Sequence, residues 1–277
     1  MTNIHPSAIV DPRAQLGEGV RVGPMCIIQG SVTLGEGTQV HAHTIIGGTT
    51  RIGRRCQIGP GAYVGLDPQH HNYDGRETCL HIGDDTVIRE GASIHRGMAE
   101  GPEQGTHVGS HCFMMACAHV GHDCRVADHV TLANAVLLGG YVEVGGGAFI
   151  GGGTVVHQFV RIGRLVIVAG GEAISKDIPP FAAVRYGGMK AYNAIGCRRA
   201  GIDRKHLRAI RAAYRQIHAH RSFADAMSAV DPAEMEIPVV RELFEFGQQT
   251  RRGIISSVHT MPASQRSNLS MADGSDE

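Results

Sequence analysis

Seven of the chain's 17 histidines, His95, His107, His111, His119, His122, His129 and His157, fall in one block of the 277-residue sequence. His119 and His122 stand three apart and flank one short segment, so both can face a single site. A neutral imidazole can take a proton from an alcohol, and a bare backbone N–H can hold the oxyanion that such an attack creates. Zinc binding is the competing use of clustered histidines. The seven cysteines are odd in number and contain no C-x-x-C pair, which fits reduced thiols filling small buried spaces, with no metal and no disulfide framework expected. Taken singly, most of the histidines suit surface or structural places, and the group around His122 is the one read as functional.

The elements that must position these residues follow from a period of six. Stepping six residues from Ile4 meets Val10, Leu16, Val22, Ile28, Leu34, Val40, Ile46, Ile52, Ile58 and Val64. The register resumes at Ile82, Ile88 and Ile94, and again from Val108 to Ile174, giving 26 apolar positions. Six fits neither a helix nor a simply alternating strand, but it fits a two-residue strand plus a corner. The fold class is therefore mainly β: a parallel β-helix of hexapeptide repeats, three hexads to an 18-residue coil, with strands stacked about 4.8 Å apart. Glycine commonly follows the aliphatic, as at Gly121, Gly139 and Gly163, and its freedom at positive φ suits a repeated turn. A thin interior of single aliphatics explains how the chain manages with 38 glycines, no Trp, 6 Tyr and 7 Phe. Coil arithmetic then stacks distant residues, because Gly140 lies 18 residues beyond His122 and Gln158, beside His157, lies 36 beyond it.

The repeat occupies residues 1–180 and is interrupted at 65–81 and 95–107, which are expected to loop out and to carry binding. Pro179-Pro180 ends it. Residues 181–256 read as a small α-helical domain: Leu207, Ile210, Tyr214 and Ile217 recur at helical spacing after a capping Asp203. Arg204, Arg208, Arg211 and Arg215 form a second stripe on that helix, in a stretch (185–221) holding ten Lys or Arg against one acid. This local basic face is hidden in a net charge of zero, which offers no global field for nucleic acid. Residues 257–277 are polar and aperiodic and are expected to be disordered. The N-terminus has no signal-peptide pattern, and the one long weakly charged stretch is broken by glycines, so a cytoplasmic protein without membrane insertion is expected.

The string Ala118-His119-Val120-Gly121-His122-Asp123-Cys124, with Val156-His157-Gln158-Phe159, Ile94-His95-Arg96-Gly97 and Asp177-Ile178-Pro179-Pro180, resembles the cytosolic UDP-N-acetylglucosamine O-acyltransferases of lipid A biosynthesis. The resemblance runs from the first hexad to about residue 253. It implies a left-handed prism, a homotrimer with sites between subunits, and transfer of a 3-hydroxyacyl group from acyl carrier protein to the sugar 3-hydroxyl. No cofactor is implied beyond the carrier-protein thioester as co-substrate. His122 matches the general base and Gly140 the oxyanion donor. Gln69, His95, His119, Tyr141, His157, Gln158, Asn193 and Arg199 match substrate-binding positions, and Gly170 matches the residue that limits acyl length. The arginine stripe on the helical domain then suits the acidic carrier protein. Three departures, His70 with Asn72, Tyr141 and Ala200, fall where members recognise acceptor or phosphate. They leave open a 3-amino UDP-sugar acceptor, or a non-catalytic binding protein on the same prism. Asp123 is expected to point away from His122, as neighbours on a strand do.

Overall fold

The computed structural model describes residues 1–101 and 104–257. Among them, 26 short strands between Asn3–Ile4 and Ala173–Ile174 each carry one hexad aliphatic. They stack in parallel into three sheets, every third strand belonging to the same face, which makes a left-handed β-helix of triangular section. Partners are one coil apart throughout, as with His119↔Leu137 and Leu138↔Val156. The aliphatics from Val22 to Ile174 are at most 4% exposed, whereas Ile4 at the open first coil is 42% exposed.

A second inner column lies two residues before each aliphatic and is filled by small side chains such as Cys26, Thr38, Cys56, Ala118, Cys124 and Val130. The buried hydroxyls and thiols there donate to a carbonyl of the next coil, as from Thr38 Oγ1 to Gly53 O at 2.8 Å and from Cys124 Sγ to Gly139 O at 3.1 Å. Six of the seven cysteines are buried.

The corner glycines have a different reason from the one their positions suggest. Positive φ falls two residues after them, and there the chain tolerates Met25, Arg55, Asp123, Tyr141 and Leu165 as well as glycine. The glycine itself is needed because coils touch: a Cβ on Gly35 would lie 2.5 Å from Gly53 C and O. Steric contact between stacked backbones, not torsional freedom, selects it.

Strands run into both ends of each insert, through Leu66 and from Cys79 in the first, through His95 and from Thr106 in the second. The segment after Pro180 opens with a hairpin, Ala182–Arg185 and Gly188–Tyr192, that extends one face of the prism before the helices begin. Helices α1 (Ala194–Arg199), α2 (Arg204–Ala219), α3 (Phe223–Ser228), α4 (Pro232–Met235) and α5 (Pro238–Gln248) follow. Asp203 caps α2 through His206 N–H, while Ile210, Tyr214 and Ile217 are buried and the four stripe arginines are exposed. Ser257 is buried and bridges Met189, so the polar tail starts no earlier than 258, and residues 258–277 lie outside the described residues. Among the described residues no helix is long and apolar enough to cross a membrane.

Candidate active site

At a corner of the prism, the second and third residues after an aliphatic both turn outward. His122, Gly140 and Gln158 occupy the second place on three successive coils, and Asp123, Tyr141 and Phe159 the third, with φ of 58°, 61° and 65°. The left-handed turn at Asp123 brings its carboxylate to the same side as the preceding imidazole, and His122 Nδ1 lies 2.8 Å from Asp123 Oδ2. The strand-alternation expectation for Asp123 is thus corrected: it sits at a corner, where alternation does not apply. Both side chains are about nine-tenths buried. The second insert completes the arrangement, because Met98 N–H donates to both carboxylate oxygens at 3.1 and 3.0 Å while Asp123 N–H donates to Thr106 Oγ1. A carboxylate so held fixes the ring's tautomer and leaves Nε2 to meet a substrate.

Gly140 lies directly against that ring. A Cβ built on it would fall 2.6 Å from His122 Cε1 and Nε2, so only glycine leaves the imidazole its place. Among the described residues the Gly140 N–H donates to no protein acceptor, as its neighbours Gly139 and Tyr141 do to Val156 O and His122 O. The other end of that peptide unit, Gly139 C=O, takes the Cys124 thiol bond. Burial pushes the thiol up to about 12, which keeps it a protonated donor.

Gln69, His70, His95, His119, His157 and Gln158 line a cleft of about 370 Å³ with His122 and Gly140. His70, on the first insert, meets His122 edge to face at 5.3 Å between ring centroids, and Tyr141 meets it at 5.2 Å from the next coil. Ser93 Oγ is hydrogen-bonded to His119 Nδ1 at 2.8 Å. Burial first, then the neighbouring His95 and His122, bring the His119 pKa down to about 4, so this ring is neutral in neutral solution. Burial and the Asp123 carboxylate push the Tyr141 phenol up, so it is a hydroxyl and not a phenolate.

Arg96 secures the insert that covers the cleft. It is 8% exposed and donates from Nη1 to Gly65 O at 2.6 Å and from Nη2 to Asp67 Oδ1 and, at 3.1 Å, to Tyr73 Oη. Sequence reasoning passed over Arg96, Cys124 and Asp123 as site residues. The hexad register could have found Asp123, since the third place after Val120 is a corner. Nothing local marks Arg96, whose side-chain partners lie 18 to 31 residues away.

Three expected site residues are elsewhere in the chain. Asn193 spends its amide within the chain, accepting from Gly196 N–H at the start of α1 and donating to Leu165 O. Arg199 is exposed at the end of α1. Gly170 stacks on Gly152 at another corner of the prism. Among the described residues, no group of three or more His, Cys, Asp or Glu is placed to hold a metal ion.

Residues 177–255 match the family described as UDP N-acetylglucosamine O-acyltransferase, domain 2, and residues 31–65 match the bacterial transferase hexapeptide (six repeats). An acyl-[acyl-carrier-protein]–UDP-N-acetylglucosamine O-acyltransferase of Halorhodospira halophila is 45% identical over 260 residues, 92% of this chain and 100% of the relative. One from Pseudomonas syringae pv. tomato is 44% identical over 259 residues, again 92% and 100%. The solved UDP-N-acetylglucosamine O-acyltransferase of Moraxella catarrhalis superposes with a TM-score of 0.84 at 33% identity, over 91% of this chain and 99% of that one. That of Francisella novicida gives 0.85 at 29%, over 93% and 95%.

Proposed function

The chain belongs to the UDP-N-acetylglucosamine O-acyltransferases, and on that premise we propose that His122 is its general base and the Gly140 N–H its oxyanion donor. The enzyme moves a 3-hydroxyacyl group from acyl carrier protein to the 3-position of UDP-N-acetylglucosamine, the first step of lipid A biosynthesis. The observation that carries the assignment is the contact of the His122 ring edge with Gly140 while its Nδ1 is tied to Asp123.

His122 Nε2 takes the proton of the sugar 3-hydroxyl as its oxygen attacks the thioester carbon. The carbonyl oxygen becomes an oxyanion and is met by the Gly140 N–H. Collapse expels the carrier's thiolate, which receives the proton from the imidazolium and leaves as a thiol. The Asp123 carboxylate stabilises the imidazolium between these two steps. The thioester supplies the activation, so the transfer balances without a cofactor. Gln69, His95, His119, His157 and Gln158 hold the acceptor sugar, and Tyr141 closes the far side of the base.

Outward-facing Ile9, Tyr63, Leu137 and Val155 share one face of the prism and are 44–66% exposed, which suits burial in a homotrimer. In that assembly Asn193, Arg199 and the chain-length glycine Gly170 reach the cleft from a neighbouring copy. The exposed stripe Arg204, Arg208, Arg211 and Arg215 receives the acidic carrier protein, and the work is cytoplasmic, where carrier protein and nucleotide sugars are made.

The test is purified enzyme with 3-hydroxyacyl carrier protein and both UDP-N-acetylglucosamine and its 3-amino analogue. Ester formation on the hydroxyl sugar is expected, and His122→Ala should lower kcat by about 10² to 10⁴. A His122→Ala enzyme with near-normal turnover would refute the mechanism.

A further inference from the structure

Each imidazole that lines the cleft is hydrogen-bonded at Nδ1, and the partner there decides what Nε2 offers a ligand. His95 Nδ1 faces the Asp67 carbonyl, His157 Nδ1 the Gln158 carbonyl at 3.1 Å, and His122 Nδ1 the Asp123 carboxylate at 2.8 Å. Carbonyl and carboxylate oxygens only accept, so the neutral form of these three rings carries its proton on Nδ1 and presents a lone pair at Nε2. His119 is bonded to the Ser93 hydroxyl, which can donate or accept and so fixes neither tautomer.

His70 is the exception. Its Nδ1 accepts the backbone N–H of Asn72 at 3.2 Å, in a tight bend where His70 N–H donates to Pro68 O and Tyr73 N–H donates to His70 O. A ring nitrogen that accepts an N–H carries no proton of its own, so the neutral ring holds it on Nε2 and is a donor. The two nitrogens point to opposite sides of an imidazole, which turns Nε2 away from the backbone of the insert. The ring lines the cleft and meets His122 edge to face, with centroids 5.3 Å apart. Its position is fixed from both sides in sequence, because the buried Arg96 grips Gly65 and Asp67 before it and Tyr73 after it. His70 with Asn72 departs from the family pattern, so kinship does not supply its role.

Polarity and reach decide what this donor meets. An N-acetylated sugar offers hydroxyls and one amide. Hydroxyls can donate, which suits the lone pairs of His95, His122 and His157, whereas the acetamido carbonyl can be met only by a donor. That group hangs from carbon 2, beside the reacting carbon 3, and its oxygen lies about 3 to 5 Å from the 3-oxygen by bond lengths alone. A ring in direct contact with the base is within that range. We propose that His70 donates from Nε2 to the carbonyl oxygen of the acceptor's 2-acetamido group, and is the residue by which this chain selects the N-acetylated sugar. The proposal rests on the acyl-transfer reading given above and adds the contact that discriminates between acceptors.

The test uses the full-length enzyme, 3-hydroxyacyl carrier protein and two acceptors, UDP-N-acetylglucosamine and UDP-glucose, which share the diphosphate and the 3-hydroxyl and differ at carbon 2. The unaltered enzyme should favour the acetylated sugar in kcat/KM by about tenfold or more. His70→Gln returns an N–H at similar reach and should keep much of that preference. His70→Glu has the shape of the Gln variant but its carboxylate only accepts, so it should bring the preference close to one, through the acceptor KM with the donor KM unmoved. Equal preferences in the two variants, or a preference that survives in His70→Glu, would overturn the proposal. So would a fall of the same size for both sugars, which would put the contact on the diphosphate. Equilibrium binding of UDP-N-acetylglucosamine without donor should likewise be weaker for His70→Glu than for His70→Gln, a difference that reads the contact independently of turnover. Absence of any transfer by the unaltered enzyme would instead overturn the acyl-transfer reading.

Discussion

The His122 imidazole is tied to the side chain of its own chain neighbour, Nδ1 to Asp123 Oδ2 at 2.8 Å, and that carboxylate is in turn held by the Met98 N–H. Asp123→Asn keeps the shape and removes the charge that stabilises the imidazolium of the proposed mechanism. We expect kcat to fall roughly 10- to 100-fold with little change in either KM, as read from steady-state rates. An unchanged kcat would mean the pair is only structural.

Gly140→Ala brings a methyl group within 2.6 Å of His122 Nε2 and Cε1. The ring must swing off line, so turnover should drop by about 10² or more while the far-ultraviolet spectrum of the β-helix stays the same. Retained activity would place the base elsewhere.

Cys124 Sγ donates to Gly139 O at 3.1 Å, and so acts on the peptide unit that carries the Gly140 N–H, the proposed oxyanion donor. Cys124→Ala should lower kcat several-fold, and Cys124→Thr should restore much of it, because Thr38 and Thr154 make the same bond on other coils. Equal losses in both variants would point to packing alone.

Acid should weaken the fold through His119. Its folded pKa of about 4 lies below the ordinary 6.5, so the unfolded chain binds the extra proton between those values. Stability is then fully present above pH 6.5, falls as pH drops toward 4, and changes no further below it, with an upper limit of about 3 kcal/mol. Urea midpoints for His119→Gln should decline less over pH 6.5 to 4 than those of the parent, and parallel declines would contradict the assignment.

Two glycines separate the two explanations of the corners. Gly35→Ala places a methyl 2.5 Å from the Gly53 backbone, whereas Gly61, at φ 63°, has nothing within 4 Å of an added Cβ. Gly35→Ala should cost about 3 kcal/mol and Gly61→Ala about 1 kcal/mol. The reverse order in chemical denaturation would restore torsional freedom as the cause.

The period of six made the solenoid legible residue by residue. Each aliphatic from Val22 to Ile174 is buried where the count puts it, and the same count stacks His122, Gly140 and Gln158. Burial in a repeating coil depends on a residue's place in its own hexad, so local sequence carries it. The count also contains the corner at Asp123, where the backbone is left-handed and strand alternation does not hold.

What breaks the repeat was not legible in this way. That Met98 reaches back to Asp123, that Arg96 grips Gly65, Asp67 and Tyr73, and that Arg251-Arg252 are clamped at Asp177 all depend on contacts between segments 23 to 77 residues apart. Asn193 shows the converse, because its amide is occupied by Gly196 and Leu165, a fact no spacing announces. The sequence by itself determined the prism and the column on which His122 stands, since a repeat fixes every residue relative to its neighbours. Only the tertiary structure decided which carboxylate, thiol and arginines surround that column, because inserts and the terminal domain are placed by single non-local contacts that occur once and follow no period.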